Sequence, residues 1–327
     1  LWLFADPPHR QGAEMSESPL AIGIDFGGTS VKMGVVRGGE IIDLAPPIAT
    51  QDFNGPEEII AAIVRAVGDL RIRHEGIRAV GIGVPGFVDF ERGVVFDLTN
   101  VRGWVNVPLR EKLSHALGLP VSADNDGNCM AFAEWKLGAG KGRSHLICVA
   151  LGTGVGGGVI ANGRMVRGAK FGAGEIGQTS IDYQGRLGHY GNLGALEDYI
   201  GNREIARDAQ AAYEAAGIAR GAEDCSPHAL AEAARNGDAI ARAHWDLIGR
   251  MFATAMMNTC WLLNPEALVI GGGVARAGDL LFTPFREHLL RQLSGPFRDG
   301  LAILPAAFGH EAGTVGAAAL ALEEAGF

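Results

Sequence analysis

No stretch of this chain approaches the roughly 18 consecutive apolar residues that a membrane-spanning helix needs, so a membrane role is not expected. Cysteine is scarce: Cys129, Cys148, Cys225 and Cys260 lie far apart and form no C-x-x-C pair. That spacing excludes a disulfide framework or a zinc knuckle and fits reduced, buried thiols in a cytoplasmic protein. Positive charge is in deficit, with 28 Lys and Arg against 37 Asp and Glu and a net charge of −9. Such a balance argues against a general nucleic-acid or membrane-surface binder, although an anion held locally by backbone N–H groups remains open. Residues 1–14 lack the charged start and apolar core of a signal peptide. Residues 1–15 are read as an N-terminal extension ahead of a start at Met15, disordered and outside the fold.

Glycine is what the chain has in excess, 49 of 327 residues, about twice the usual ~7%. The glycines cluster in short loops between apolar runs, where the backbone turns tightly or approaches a ligand. Leu20–Asp25 is a short apolar strand closed by a carboxylate; a turn, Phe26-Gly-Gly-Thr29, leads to a second strand at Val31–Val36. Pro56, followed by Glu57 and Glu58, opens a helix, and Arg78–Val84 reads as a buried strand ended by Pro85-Gly86. Asp124-Asn-Asp-Gly-Asn128 caps a helix running to about Leu137. His145–Leu151 then repeats the opening theme: strand, glycine turn (Gly152–Gly158), strand at Val159 and Ile160. Helices dominate 202–263, Glu266–Ile270 is a strand running into Gly271-Gly-Gly273, and an alanine-rich helix follows Gly313.

Two strand–turn–strand units in a chain long enough for about two domains predict two related α/β halves. The expected division is 16–123 plus 308–327 for the first domain and 124–307 for the second. A lone glycine turn is as well explained by an ordinary hairpin. A dinucleotide fingerprint needs a helix straight after its glycines, and residues 159–166 read as strand and turn. Gly271–Gly278 places its last glycine too late for G-x-G-x-x-G, and no Walker A loop is present because Gly142 follows Lys141. What remains is a hairpin whose turn amides, with the Thr29 and Thr153 hydroxyls, can meet phosphate oxygens.

Asp25-Phe-Gly-Gly-Thr29, Leu151-Gly-Thr-Gly-Val-Gly-Gly-Gly158 and the run from Asn264-Pro to Val-Ile-Gly-Gly-Gly273 resemble the two phosphate motifs and the adenosine motif of the actin/hexokinase/Hsp70 ATPase superfamily. Within it the chain is similar to the ROK (repressor, open reading frame, kinase) family, best to its glucokinase-type members, over about residues 20–325. The resemblance implies two ribonuclease H-like α/β domains with a ligand cleft between them, the actin-like ATPase fold. It implies ATP bound through Asp25, Gly27, Gly28, Thr29, Lys32, Gly152, Thr153, Gly154, Gly272 and Gly273, with Asp25 holding Mg²⁺ through water.

It also implies a hexose as acceptor, with glucose converted to glucose 6-phosphate. Asp126 of Asn125-Asp126 matches the family's general base, which takes the hydroxyl proton as the O–P bond forms; on its own it would read as a helix cap. Thr99-Asn100-Val-Arg-Gly103-Trp104 resembles the sugar-contact segment ending in G-W, and Gly83-Val-Pro-Gly86 the turn lining the sugar pocket. Glu175, Gln178 and Glu197 stand where the family has an E-x-G-H element and its closing glutamate. The sugar set is thus Gly86, Asn100, Asn125, Asp126, Glu175, Gln178 and Glu197.

The pattern departs at the family's structural zinc site. The four ligand positions hold Gln178, Gly188, Tyr190 and Ala195, poor or impossible zinc ligands, so zinc is not expected. His189 nearby reads as a surface or packed histidine. The loop is expected to persist by packing around Tyr190, Leu193 and Leu196. Alternatives are a kinase for N-acetylmannosamine, N-acetylglucosamine, fructose or allose, or one using polyphosphate, since relatives that do so also lack the cysteines. A sugar-sensing repressor would need an N-terminal helix-turn-helix domain, for which about 19 residues before the first strand are too few. By analogy with the family, the chain is a homo-oligomer, dimer or tetramer.

Overall fold

The computed structural model describes residues 18–327, so the expected extension at 1–15 lies outside the described residues. In chain order the elements are β1 (Leu20–Phe26), β2 (Ser30–Arg37), β3 (Glu40–Leu44), β4 (Ile48–Ala49), α1 (Pro56–Arg73), β5 (Ile77–Val84), β6 (Val88–Asp89), β7 (Val94–Asp97), β8 (Val105–Val107), α2 (Leu109–Leu117), β9 (Val121–Asn125) and α3 (Asp126–Lys136). There follow β10 (Leu146–Leu151), β11 (Val155–Ala161), β12 (Arg164–Val166), α4 (Glu197–Ile200), α5 (Asn202–Ala215), α6 (Pro227–Arg235), α7 (Ala239–Leu263), β13 (Ala267–Gly271), α8 (Asp279–Arg291), α9 (Gly295–Arg298), β14 (Ala302–Pro305) and α10 (Ala312–Glu324). Among the described residues no helix is long and apolar enough to cross a membrane.

The chain divides into two compact units. The first takes the described residues up to Lys141, Arg167–Ala173 and His310–Phe327; the second takes Gly142–Val166 and Gly174–Gly309. The first unit therefore extends beyond the division expected at residue 123, because α3 packs along α10 and stays with it.

The same sheet is built twice. In the first unit the order is β3-β2-β1-β5-β9, with β4 on β2; in the second it is β12-β11-β10-β13-β14. In each, an antiparallel hairpin (β1 with β2, β10 with β11) joins parallel neighbours. Strands β1 and β10 are almost continuously apolar and buried, as strands covered on both faces must be. The carboxylate of β1, Asp25, lies near the end where the chain reverses.

Helix ends follow local chemistry. Pro56 begins α1, with Glu57 and Glu58 in its first turn and Arg71 and Arg73 in its last, complementing the peptide dipoles. Asp238 caps α7 by accepting the Ile240 and Ala241 N–H groups at 2.9 and 3.0 Å, and Asn264 ends it in the left-handed region.

Helix α10 lies directly on the first sheet. A Cβ on Gly23 in β1 would overlap the Thr314 carbonyl oxygen, and one on Gly81 in β5 the carbonyl of Ala317. On the helix itself, a Cβ on Gly316 would overlap the Cys129 carbonyl oxygen of α3. Only glycine lets three backbones meet at this depth. Gly316→Ala should therefore cost about 2 kcal/mol or more through overpacking. Gly68→Ala, in α1 where a Cβ meets nothing within 4 Å, should instead stabilise by about 0.5–1 kcal/mol. Urea unfolding of both variants measures this; a Gly316→Ala protein as stable as the parent would rule out the close approach.

Candidate active site

In the first unit β1 delivers Asp25 to the start of the Gly27–Thr29 turn. Asp25 pairs across the hairpin with the exposed Lys32. Burial raises the Asp25 carboxyl above the ordinary carboxylate value, with the Lys32 charge pulling the other way. The turn is fixed through the Gly28 carbonyl, which accepts the Asn100 Nδ2 at 2.9 Å and the Thr50 hydroxyl at 3.0 Å. The Thr50 N–H also donates to the Thr29 carbonyl at 3.0 Å. Because a trans peptide sets its N–H opposite its C=O, anchoring the Gly28 carbonyl turns the Thr29 N–H to the other side, as a donor for an anion. Asn100, expected as a sugar ligand, thus has its amide nitrogen on the first glycine turn. Trp104 is buried edge-on against Phe26, with ring centroids 5.7 Å apart, which seats the Asn100 segment at the end of β1.

Asp126 does not cap its helix. The cap is Asn125, whose Oδ1 accepts the Asn128 N–H at 3.2 Å while its Nδ2 donates to the Gly86 carbonyl at 3.1 Å. The helix start is thereby tied to the turn expected to line the sugar pocket. Asp126 is the first helical residue, partly exposed, with its Oδ1 accepting the Gly127 N–H at 2.8 Å. Below lies the buried Cys129 thiol, pushed well up, first by burial and then by the charges of Asp124, Asp126 and Asp25, with Arg167 opposing. Asp25 and Asp126 therefore lie close enough to act on one buried group.

In the second unit the expected turn at Gly152–Gly158 is shorter. Strand β11 already begins at Val155, and Gly156, Gly157 and Gly158 pair with Ala150, Val149 and Cys148. These glycines belong to the strand, and at Gly157 a Cβ would crowd Ile176 and the Cys148 carbonyl. The turn proper is Gly152–Gly154. Glu197, opening α4, accepts the Val155 N–H on Oε2 at 2.8 Å and the Gln178 Nε2 on Oε1 at 3.3 Å. Glu175 keeps solvent access, yet its carboxyl is raised by the protein mass around it and then by Glu197. Glu175, Gln178 and Glu197 thus form one group against the second glycine turn. Gly272, at φ +87°, is required because a side chain there would overlap the Leu151 backbone, whereas Gly273 faces open space.

The loop from Gln178 to Glu197 is held differently from expectation. Leu196 is buried, but Tyr190 and Leu193 are 68% and 45% exposed and do not pack it; His189 is exposed too, edge-on to Tyr190. Arg186 takes their place. Its guanidinium donates to the Asp198 carbonyl at 2.7 Å and to Asp208 at 2.8 Å, and lies 4.4 Å from the Tyr199 ring centre. Its backbone N–H donates to the Tyr199 hydroxyl at 2.9 Å. Among the described residues no group of three or more His, Cys, Asp and Glu could hold a metal ion by protein ligands alone.

Sequence reasoning did not single out Thr50, nor the pairing of Asp124 with Arg167. Thr50 carries no motif, and Asp124 and Arg167 are 43 positions apart.

The ROK family profile matches residues 21–324. A glucokinase from Streptomyces coelicolor is 36% identical over 316 residues, spanning 93% of this chain and 98% of that protein. A glucokinase from Thermotoga maritima is 32% identical over 315 residues, with coverage of 93% and 98%. The solved structure of a ROK family glucokinase from Streptomyces griseus, in complex with glucose and AMPPNP, superposes with a TM-score of 0.78 at 34% identity, covering 93% of this chain and 99% of that one. The chain shares the actin-like ATPase fold of these structures.

The Asp25 carboxylate accepts no side-chain hydrogen bond among the described residues, and the attraction of Lys32 is outweighed by its burial. An anionic oxygen so placed fits a hydrated Mg²⁺. The raised carboxyl means that the folded chain binds this proton more tightly than the unfolded chain. Its contribution therefore favours the fold at low pH and is lost as pH rises through the raised value. Asp25→Asn should accordingly raise the melting temperature of the ligand-free protein at pH 8, with the gain shrinking at pH 5, while turnover falls. Scanning fluorimetry at both pH values checks the sign; an equal drop at each would contradict it.

Proposed function

Because the chain belongs to the ROK family, we propose that it transfers the γ-phosphoryl group of ATP to glucose, giving glucose 6-phosphate, with Asp126 as the general base. The observation that carries this reading is the setting of Asp126 at the start of α3, beside a cap that is hydrogen-bonded to the Gly86 turn. Its Oδ1 accepts the Gly127 N–H at 2.8 Å, which orients the carboxylate that takes the proton of an attacking hydroxyl. Loss of that proton as the O–P bond forms needs no covalent intermediate. The Gly27–Thr29 and Gly152–Gly154 turns supply N–H donors for phosphate oxygens, and Thr29 and Thr153 add hydroxyls. Mg²⁺, when bound at Asp25, neutralises charge on the phosphates.

Asn125, Gly86 and the Asn100 amide oxygen serve the sugar in the first unit, and Glu175, Gln178 and Glu197 in the second. The glucokinase relatives and the glucose–AMPPNP complex of the Streptomyces griseus enzyme support glucose and ATP over the other hexoses and polyphosphate.

A coupled ADP-release assay over a hexose panel, with ATP and polyphosphate as alternative donors, should give the highest kcat/KM for glucose with ATP. Asp126→Asn should keep sugar binding and lose about 10²–10⁴-fold in kcat, the usual contribution of a positioned base. An active Asp126→Asn protein sinks the mechanism. The Gln178–Glu197 loop, held by Arg186, needs no metal, so elemental analysis of the purified protein should find no stoichiometric zinc; one tightly bound zinc per chain would contradict this.

A further inference from the structure

A buried ion pair stands behind the start of α3. Asp124, 2% exposed, takes two bonds from Arg167 on its Oδ2, from Nε at 3.0 Å and Nη2 at 2.8 Å. The Arg167 guanidinium lies over the Phe90 ring, 3.5 Å from its centre, which fixes its plane. The other Asp124 oxygen accepts the Asn125 N–H at 2.8 Å and the Asn128 Nδ2 at 3.0 Å. Asp124 thus holds the residue on either side of the Asp126–Gly127 step. Asn128 Oδ1 is buried without a hydrogen-bond partner, so that amide is kept for its bond to Asp124 despite a cost to stability.

We propose that Arg167 is a positioning residue for the phosphoryl-transfer reaction: through Asp124 it sets the orientation of the Asp126 carboxylate. The inference rests on the reading of Asp126 as the base. Relative to apolar packing, a buried ion pair adds little net stability, while removing one partner strands a charge. Without the two Arg167 bonds, the Asp124 carboxylate is free to turn, and its holds on Asn125 and Asn128 go with it. A base displaced by about 1 Å loses on the order of 100-fold in rate while binding is kept. Lysine cannot replace Arg167, because a single ammonium lacks the planar fork that grips one oxygen through two nitrogens and lies flat on a ring.

The test is a double-mutant cycle on the full chain with Arg167→Lys, Asp126→Asn and their combination. Single-turnover phosphorylation and calorimetric sugar binding are measured for each protein. Arg167→Lys should lower kcat about 10–100-fold, with KM, sugar affinity and binding stoichiometry unchanged. In the Asp126→Asn background it should lower the residual rate no further. A loss of folded protein would reduce stoichiometry and multiply on both backgrounds. The same rate loss with and without Asp126 overturns the proposal, as does full activity of Arg167→Lys beside an inactive Asp126→Asn, which leaves the base assignment standing. An active Asp126→Asn overturns both. Should Arg167→Lys fail to fold, Asp124→Asn, which keeps the shape and one acceptor for the Asn125 N–H, enters the cycle in its place with the same outcomes.

Discussion

The bare backbone contact between α10 and its neighbours sets the level of everything above it. Gly23 and Gly81 let the helix lie on β1 and β5 with no side chain between, and Gly316 lets α3 come down onto it. The same helix start leaves room for Asp25, since a Cβ on Gly313 would sit 3.0 Å from the Asp25 carboxyl carbon. One helix thereby fixes both the strand end that carries Asp25 and the helix that begins with Asp126. A single methyl group at this junction would lift one relative to the other.

The parts of this arrangement that sequence made legible are those written in local chemistry. Two apolar strands ending in glycine turns announced the hairpins, and both are present with the same pairing pattern. Pro56 with its two glutamates marked the start of α1 to the residue. What stayed hidden depends on contacts distant in sequence. Gly156–Gly158 read as turn because glycine is a turn residue, but at Gly157 tight packing against Ile176 also selects glycine. Asp126 read as a cap because Asp and Asn are interchangeable there; only the bond from the Asn128 N–H shows that Asn125 has that role. Arg167 carries no motif at all, and its meaning comes from a carboxylate 43 positions earlier.

Residues assigned to the sugar by resemblance also shape the glycine turns. Asn100 bonds the Gly28 carbonyl, and Glu197 bonds the Val155 N–H beside Gly154. In each unit, then, moving this one side chain would also move the glycine turn it holds. The Gln178–Glu197 loop has its own fastening. Arg186 collects a carbonyl, a carboxylate and an aromatic face within one side chain, so the two ends that carry Gln178 and Glu197 are held by ordinary hydrogen bonds.

The position of α10 in the chain has a bearing on how the protein is made. Strand β1 starts at residue 20 and α10 at residue 312. At ribosomal rates of ~5–20 residues per second, the glycine face of the first sheet leaves the ribosome roughly 15–60 s before the helix that covers it. During that interval a nascent chain displays β1 and β5, nearly continuous apolar strands, with one face open to water and to other chains. A product terminated early, before residue 312, would still contain Asp25, Asp126 and both glycine turns. It would lack the floor that brings Asp25 and Asp126 to a common level, and would be a task for chaperones instead of an enzyme.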